Sequence, residues 1–170
     1  MDSGQTTEFL IWSNPFNLQK AMTYITEIRK KDRDTSIIES LTKVWKDSVR
    51  ASHHFLSEKD ICRLEPYAKE ALQAVETLVV ISEAGEPIGF MGIELRKIEM
   101  LFLAPGHFGQ GYGRQLAEKA FAEYDAIFVD VNEQNTQAAG FYRKMGFTAF
   151  RRDALDDQGN PFPILRMKRG

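Results

Sequence analysis

The hydrophobic pattern of the chain alternates between helical and strand periods. Tyr24–Arg29 reads as a first strand. Ile37, Ile38, Leu41, Val44, Trp45, Ser48 and Val49 then recur at three- and four-residue spacing, which predicts an amphipathic helix capped by Asp34 or Ser36. A short segment, Ser52–Leu56, leads to Ser57-Glu58-Lys59-Asp60. This resembles a capping box with Asp in the place of Glu, and it opens a second helix running to about Val75, which Pro66 should kink or split. From Thr77 the period becomes that of strands: Thr77–Ser82, a turn at Glu83–Glu86, then Pro87–Glu94 and Lys97–Leu103. A Gly-rich loop, Gly106–Gly113, opens a helix with Leu116, Ala117, Ala120, Phe121 and Tyr124 on one face. Ala126–Val131 is a strand, and Asn135–Met145 is a helix stopped by Gly146. Phe147–Asp153 and Phe162–Lys168 form a closing hairpin.

The resulting order, β-α-α-β-β-β-α-β-α-β-β, describes one mixed α/β domain over residues 21–170. Residues 1–20 show little periodicity. They carry Trp12, Pro15 and Phe16 and read as an N-terminal extension that packs on the domain or on a partner, with Met22 an alternative start of the compact fold.

Composition narrows the function classes. The chain has 170 residues, 43% hydrophobic and 27% charged, as in an ordinary soluble domain with one core. It has no apolar run near the roughly 20 residues of a membrane span. Met1–Leu10 lacks the basic start of a signal peptide, so a cytoplasmic location is expected. A formal charge of -2 without blocks of like charge argues against nucleic-acid or polybasic membrane binding. The single cysteine, Cys62, leaves no internal disulfide and no cysteine metal cage, and it reads as a small buried or half-buried residue. The three histidines lack ligand spacing with acidic partners, so no metal is expected.

The segment Leu101-Phe102-Leu103-Ala104-Pro105-Gly106-His107-Phe108-Gly109-Gln110-Gly111-Tyr112-Gly113-Arg114 runs from strand to helix. Successive glycines allow close backbone approach and point several N–H groups one way, and the helix N-terminus adds partial positive charge, which suits a pyrophosphate. No Gly-Lys-Ser/Thr follows, so it is not a Walker loop. Arg114 stands where a dinucleotide fingerprint needs its third glycine. A tight turn without a ligand is the alternative.

The end of this loop, Phe108-x-x-Gly111-Tyr112-Gly113, resembles the coenzyme A pyrophosphate loop of GNAT acetyltransferases, written R/Q-x-x-G-x-G/A. Downstream, Asn135-x-x-Ala138-x-x-Phe141-Tyr142-x-x-x-Gly146-Phe147 closely resembles the second motif of that family, N-x-x-A-x-x-F/L-Y-x-x-x-G-F. The element order from Tyr24 to Lys168 is similar too. The resemblance implies a GNAT fold: a central, mostly antiparallel mixed sheet of about seven strands with about four helices, often assembled as a homodimer. It also implies acetyl-CoA as co-substrate, with direct acetyl transfer to a primary amine of a small molecule or peptide. A non-catalytic acetyl-CoA-binding sensor or scaffold is the alternative reading. The chain departs from the pattern at Phe108, where the family has Arg or Gln. Arg114 or Lys119 would have to substitute, leaving most phosphate contacts to backbone N–H groups and weakening coenzyme A binding.

The resemblance also assigns roles. Tyr142 would protonate the departing thiolate, the alternative being a core aromatic in the stripe Ala138, Phe141, Tyr142, Met145. Leu101, Phe102 and Leu103 would offer backbone N–H groups to the thioester carbonyl and pantetheine arm. Phe108, Gly109, Gln110, Gly111, Tyr112, Gly113 and Arg114 would hold the pyrophosphate. Asn135 would bond the pantetheine, cap its helix, or both. Ala138 and Phe141 complete the cofactor side, Phe141 by packing. Glu99 is the candidate general base, two residues before Leu101, and strand alternation puts it on the face of Leu101 and Leu103; an exposed residue paired with Lys97 or Arg96 is the alternative. A base is required because a lysine-like ammonium, with a pKa of about 10.4, is not nucleophilic. His53 and His54 are rival bases and acceptor contacts, at most one of them entering the site. His53, within Trp45-x-x-Ser48-Val49 and Ser52-His53-x-Phe55-Leu56, is similar to a histidine of a small bacterial GNAT subgroup. Asn132 faces the cleft or ends its strand. His107 reads as a loop surface residue. Asp156–Pro163 is a polar turn or a wall of the acceptor pocket.

Overall fold

A computed structural model describes residues 22–170, so the expected extension, with Trp12 and Phe16, lies outside the described residues. Seven strands are arranged as β1 (Thr23–Glu27), β2 (Thr77–Glu83), β3 (Glu86–Glu94), β4 (Lys97–Leu103), β5 (Phe128–Asn132), β6 (Phe147–Asp153) and β7 (Ile164–Arg169). Their order across the sheet is β1-β2-β3-β4-β5-β7-β6, and every neighbouring pair is antiparallel except β4 with β5. Four helices complete the fold: α1 (Thr35–Ser52), α2 (Glu58–Ala74), α3 (Tyr112–Tyr124) and α4 (Thr136–Lys144).

Strand alternation divides the core between the two faces. Leu78 and Val80 of β2, with Phe90, meet the buried stripe of α1 (Ile38, Leu41, Val44, Trp45, Val49) and Ile61 and Leu72 of α2. Val79 and Ile81 point the other way and pack with Met91, Ile98, Val129, Val131, Leu165 and Met167 against α3 and α4. Gly89 is required where β3 lies against β4, because a Cβ there would sit 2.9 Å from the Phe102 carbonyl oxygen and closer still to Leu103.

Local signals decide the helix ends. Asp34, not Ser36, caps α1, accepting from the Ile37 N–H at 2.9 Å. Ser57 and Asp60 form the full capping box of α2. That helix runs through Pro66 without a break, against the expected split. Cys62 is exposed on it rather than buried, because the core-facing positions nearby are Ile61 and Leu64. Phe162 precedes β7 instead of beginning it.

The C-terminus of α2 is closed by a residue from a distant part of the chain. Arg33 is buried at 8% exposure, and its guanidinium donates to the carbonyls of Ile28, Leu72, Gln73, Val75 and Glu76 at 2.7–3.3 Å. Those carbonyls include the free acceptors at the negative end of the helix, so a buried cation is solvated by backbone dipoles instead of a carboxylate. Replacing Arg33 with Met keeps the apolar stem and strands these acceptors. Urea unfolding should register a loss of about 3 kcal/mol.

Candidate functional site

The site is created where the sheet opens. β4 and β5 are paired only at Lys97 with Phe128 and Ile98 with Val129, although β4 continues to Leu103 and β5 to Asn132. Beyond Ile98 the β5-facing edge of β4 has no strand partner, so its backbone N–H and C=O groups must be satisfied by something else. The gap widens into a cleft of about 410 Å³. Leu101, Phe102, Leu103, Phe108, Gly109, Gly111, Gly113, Arg114, Asn132, Asn135, Ala138, Phe141 and Tyr142, all expected site residues, line it together with Glu99 and His53.

On the α3 side, Gly109 and Gly111 take φ of 72° and 87°, and Gly111 is the N-cap of α3. A Cβ on either would meet nothing within 4 Å, so these glycines serve the left-handed backbone and not a crowded contact. Two loop residues turn their side chains elsewhere. Gln110 donates back to the Gly106 carbonyl at 2.8 Å, and Tyr112 is buried at 4% exposure away from the cleft. Neither side chain lines the cleft. Arg114 reaches the cleft and lies 3.5 Å from Glu118, whereas Lys119 is engaged by Glu123 and does not reach it. With Gly backbone, a helix N-terminus and Arg114 in one wall, the residues present fit a pyrophosphate.

On α4, the Asn135 Oδ1 caps the helix by accepting from the Ala138 N–H at 3.1 Å, and the residue lies against the cleft at 8% exposure. Asn132 does both things expected of it: it ends β5, accepting from the Gln134 N–H at 2.8 Å, and it lines the cleft. Tyr142 is buried at 7% exposure between Phe141 and Phe147, with edge-on ring contacts at 5.0 and 5.5 Å. Burial raises its phenol well above the ordinary value, so it stays protonated at neutral pH.

Glu99 corrects the simple alternation. Gly92 pairs with Met100 while Ile93 pairs with Ile98, so Glu99 is the extra residue of a β-bulge. Ile98, Leu101 and Leu103 pack toward α3 and α4, while Met100 and Phe102 pack toward α1 and α2. Glu99 therefore does not share the face of Leu101 and Leu103, contrary to the alternation read from the sequence. It lies on the α1 side with Met100. Lys97 Nζ contacts Glu99 Oε1 at 3.0 Å and Asp130 Oδ2 at 2.9 Å. Asp130 Oδ2 takes Arg166 Nη1 at 2.6 Å, and Arg166 also holds Asp153 and Asp157. Burial lowers the Lys97 ammonium, but its bonds to Asp130 and Glu99 outweigh this and hold it above its ordinary value.

From α1 come Ser48, Ser52 and His53. Ser48 was hidden in an apolar stripe; a polar residue on a buried helix face is the signal that marks it. Ser52 donates its one hydroxyl proton to the Ser48 carbonyl at 2.7 Å, so its oxygen accepts from His53 Nδ1 at 2.8 Å and Nε2 is left as a free acceptor. Burial, followed by the neighbouring His54, lowers the His53 pKa to about 4. His54 is exposed and outside the cleft. His107 is no surface residue: it is half-buried and bonded to Glu83 at 3.1 Å. Phe55 packs on His53 at 5.4 Å and Phe162 on Phe55 at 5.7 Å, so the loop after β6 packs behind His53 without lining the cleft itself. Among the described residues no three His, Cys, Asp or Glu side chains converge as a metal site, and no helix is long and apolar enough to cross a membrane.

Comparison with known proteins agrees with this geometry. Residues 74–149 match the family model described as an acetyltransferase (GNAT) domain. The peptidyl-lysine N-acetyltransferase YjaB of Salmonella typhimurium is 40% identical over 129 residues, which cover 76% of this chain and 89% of the relative. The solution structure of apo YjaB from Escherichia coli superposes with a TM-score of 0.75 at 34% identity, covering 86% of this chain and 97% of that one. The PaiA N-acetyltransferase of Thermoplasma acidophilum, solved with coenzyme A, shares the fold with a TM-score of 0.64 at 22% identity, covering 88% and 99%.

The state of His53 leaves a mark on stability. Its folded pKa is about 4 against an ordinary 6.5, so the unfolded chain takes up a proton first as pH falls. Above pH 6.5 the residue costs nothing; between 6.5 and 4 it should lower folding stability progressively. Urea titrations across that window should show the slope in the natural protein and a flatter one in His53→Gln.

Proposed function

This chain belongs to the GNAT family of acetyl-CoA-dependent N-acetyltransferases, and from that premise we propose that it acetylates the side-chain amine of lysine in a peptide or protein. The observation that carries the proposal is the carboxylate of Glu99, set by the bulge in a cleft that His53 and Phe102 also line, with Phe55 packed on His53 and Phe162 on Phe55. The rings of His53 and Phe102 suit the four-carbon stem of lysine, and a carboxylate in the same cleft suits its charged end. The YjaB relatives, named for peptidyl-lysine, support the same acceptor class.

The division of labour follows from the open sheet. Acetyl-CoA lies on the α3–α4 side, its pyrophosphate on the N–H groups of residues 108–114 and its pantetheine along Leu101–Leu103 and Asn135. The thioester carbonyl accepts from the unpaired edge of β4, which stabilises the oxyanion. The amine arrives from the α1 side. As its nitrogen bonds to the carbonyl carbon, Glu99 accepts the proton it sheds. Collapse of the intermediate breaks the C–S bond, and the Tyr142 hydroxyl gives the sulfur a proton. His53, neutral at pH 7, orients the amine as a hydrogen-bond acceptor through Nε2. The same proposal includes a cytoplasmic setting, where the exposed Cys62 thiol stays reduced, and a homodimer, which light scattering would report at twice the 19.4 kDa chain mass.

Two measurements check this reading. Tyr142→Phe should keep acetyl-CoA affinity in calorimetry while kcat falls by roughly 10²–10⁴-fold; unchanged turnover would remove the acid role. A lysine peptide with a blocked N-terminus should release thiol and gain 42 Da, about one acetyl group, on Nε by mass spectrometry. The same peptide carrying Nε-acetyllysine should be inert, and acetylation of spermidine or of a free N-terminus alone would defeat the lysine assignment.

A further inference from the structure

One carboxylate ties the Gly-rich loop to the sheet at both of its ends. Glu83 is the last residue of β2. Its Oε2 accepts from His107 Nε2 at 3.1 Å and its Oε1 from the Tyr112 hydroxyl at 3.4 Å. His107 ends the short 3-10 turn before the loop, and Tyr112 is the first residue of α3 after it. Between them lie only Phe108, Gly109, Gln110 and Gly111. The two rings lie with centroids 6.0 Å apart and planes tilted by 50°, and neither side chain nor Glu83 lines the cleft.

The protons in this cluster follow from the partners. A carboxylate only accepts, so His107 carries its proton on Nε2; among the described residues its buried Nδ1 has no partner. Among those residues Glu83 is the one hydrogen-bond partner of the ring's side-chain nitrogens. Burial raises the Tyr112 phenol, and the Glu83 carboxylate raises it further, so the hydroxyl remains a donor.

We propose that Glu83, His107 and Tyr112 form a clasp that presets the backbone of residues 108–111 for the acetyl-CoA pyrophosphate. They are positioning residues for cofactor binding, not contacts to it. The proposal rests on the reading of this loop as the pyrophosphate site. The chain needs such a device for two reasons. Phe108 supplies no side-chain donor and Gln110 spends its amide on Gly106, so the phosphates depend on backbone N–H directions. Gly109 and Gly111 sit in open space at positive φ, and so flexible a segment would otherwise lose its freedom only on binding, at the expense of affinity.

The test compares two acyl donors: acetyl-CoA, and S-acetylpantetheine, which carries the same thioester arm without the pyrophosphate. Glu83→Ala and His107→Ala should raise KM for acetyl-CoA by about tenfold, with KM for the acceptor and kcat/KM for S-acetylpantetheine unchanged. His107→Gln, which restores an N–H donor, should recover most of the loss, and Tyr112→Phe, which removes a single hydroxyl, should give a smaller rise in the same direction. An unchanged acetyl-CoA KM in all four variants overturns the clasp. Equal loss with both donors also overturns it, because it reports general damage to the fold. Failure of the natural protein to bind coenzyme A in calorimetry would instead overturn the reading of the loop on which the clasp depends.

Discussion

The parallel contact between β4 and β5 lasts for two residue pairs, and the rest of the molecule is organised around its failure to continue. Backbone groups in a sheet interior are normally committed to the ladder. Here a strand interior is left with free polar groups in the middle of a protein, flanked by apolar walls from both cores. That combination is hard to obtain otherwise, since an edge strand would be open to water and a paired strand would have nothing to offer. The opening also joins the two faces of the sheet. A ligand held by α3 and α4 and one held by α1 can meet without either helix layer parting.

The bulge at Glu99 and the charged chain behind it shape the α1 side of the cleft. Lys97, Asp130 and Arg166 lie on the same face of the sheet, and Arg166 reaches Asp157 in the loop that also carries Phe162. The carboxylate at the cleft and the loop after β6 are thus joined through alternating charges about 3 Å apart. Lys97, Asp130 and Arg166 are only partly exposed, so their pairs are screened less than ordinary surface pairs, whereas Asp157 at the loop end is largely exposed. Rigidity of this kind suits a site that must align an amine with a thioester.

What the sequence made legible was whatever is encoded locally. The capping box at Ser57, the helical stripe from Ile37 to Val49, the strand-loop-helix glycines and the Asn135–Phe147 motif each span fewer than about 15 residues, and each appears where its pattern placed it. The site features that escaped are long-range. Arg33 meets carbonyls about 40 residues away, and Glu83 meets partners 24 and 29 residues away. The face of Glu99 was misassigned because alternation is a property of one strand, whereas a bulge is a property of a pair. His107 looked like loop surface because nothing nearby in sequence announces the carboxylate that buries it. Phe108, the departure from the family pattern, was visible at once, but its consequence depended on the unseen clasp.

The bulge has a meaning beyond where it aims one carboxylate. An extra residue in a strand belongs to neither ladder, so its side chain is exempt from the packing rules that fix Ile98 on one side and Met100 on the other. Substitution at position 99 changes what the cleft can do while leaving both cores as they were. In evolutionary terms position 99 is a removable mount: a lineage can exchange the group it presents to the cleft without first solving the folding problem again.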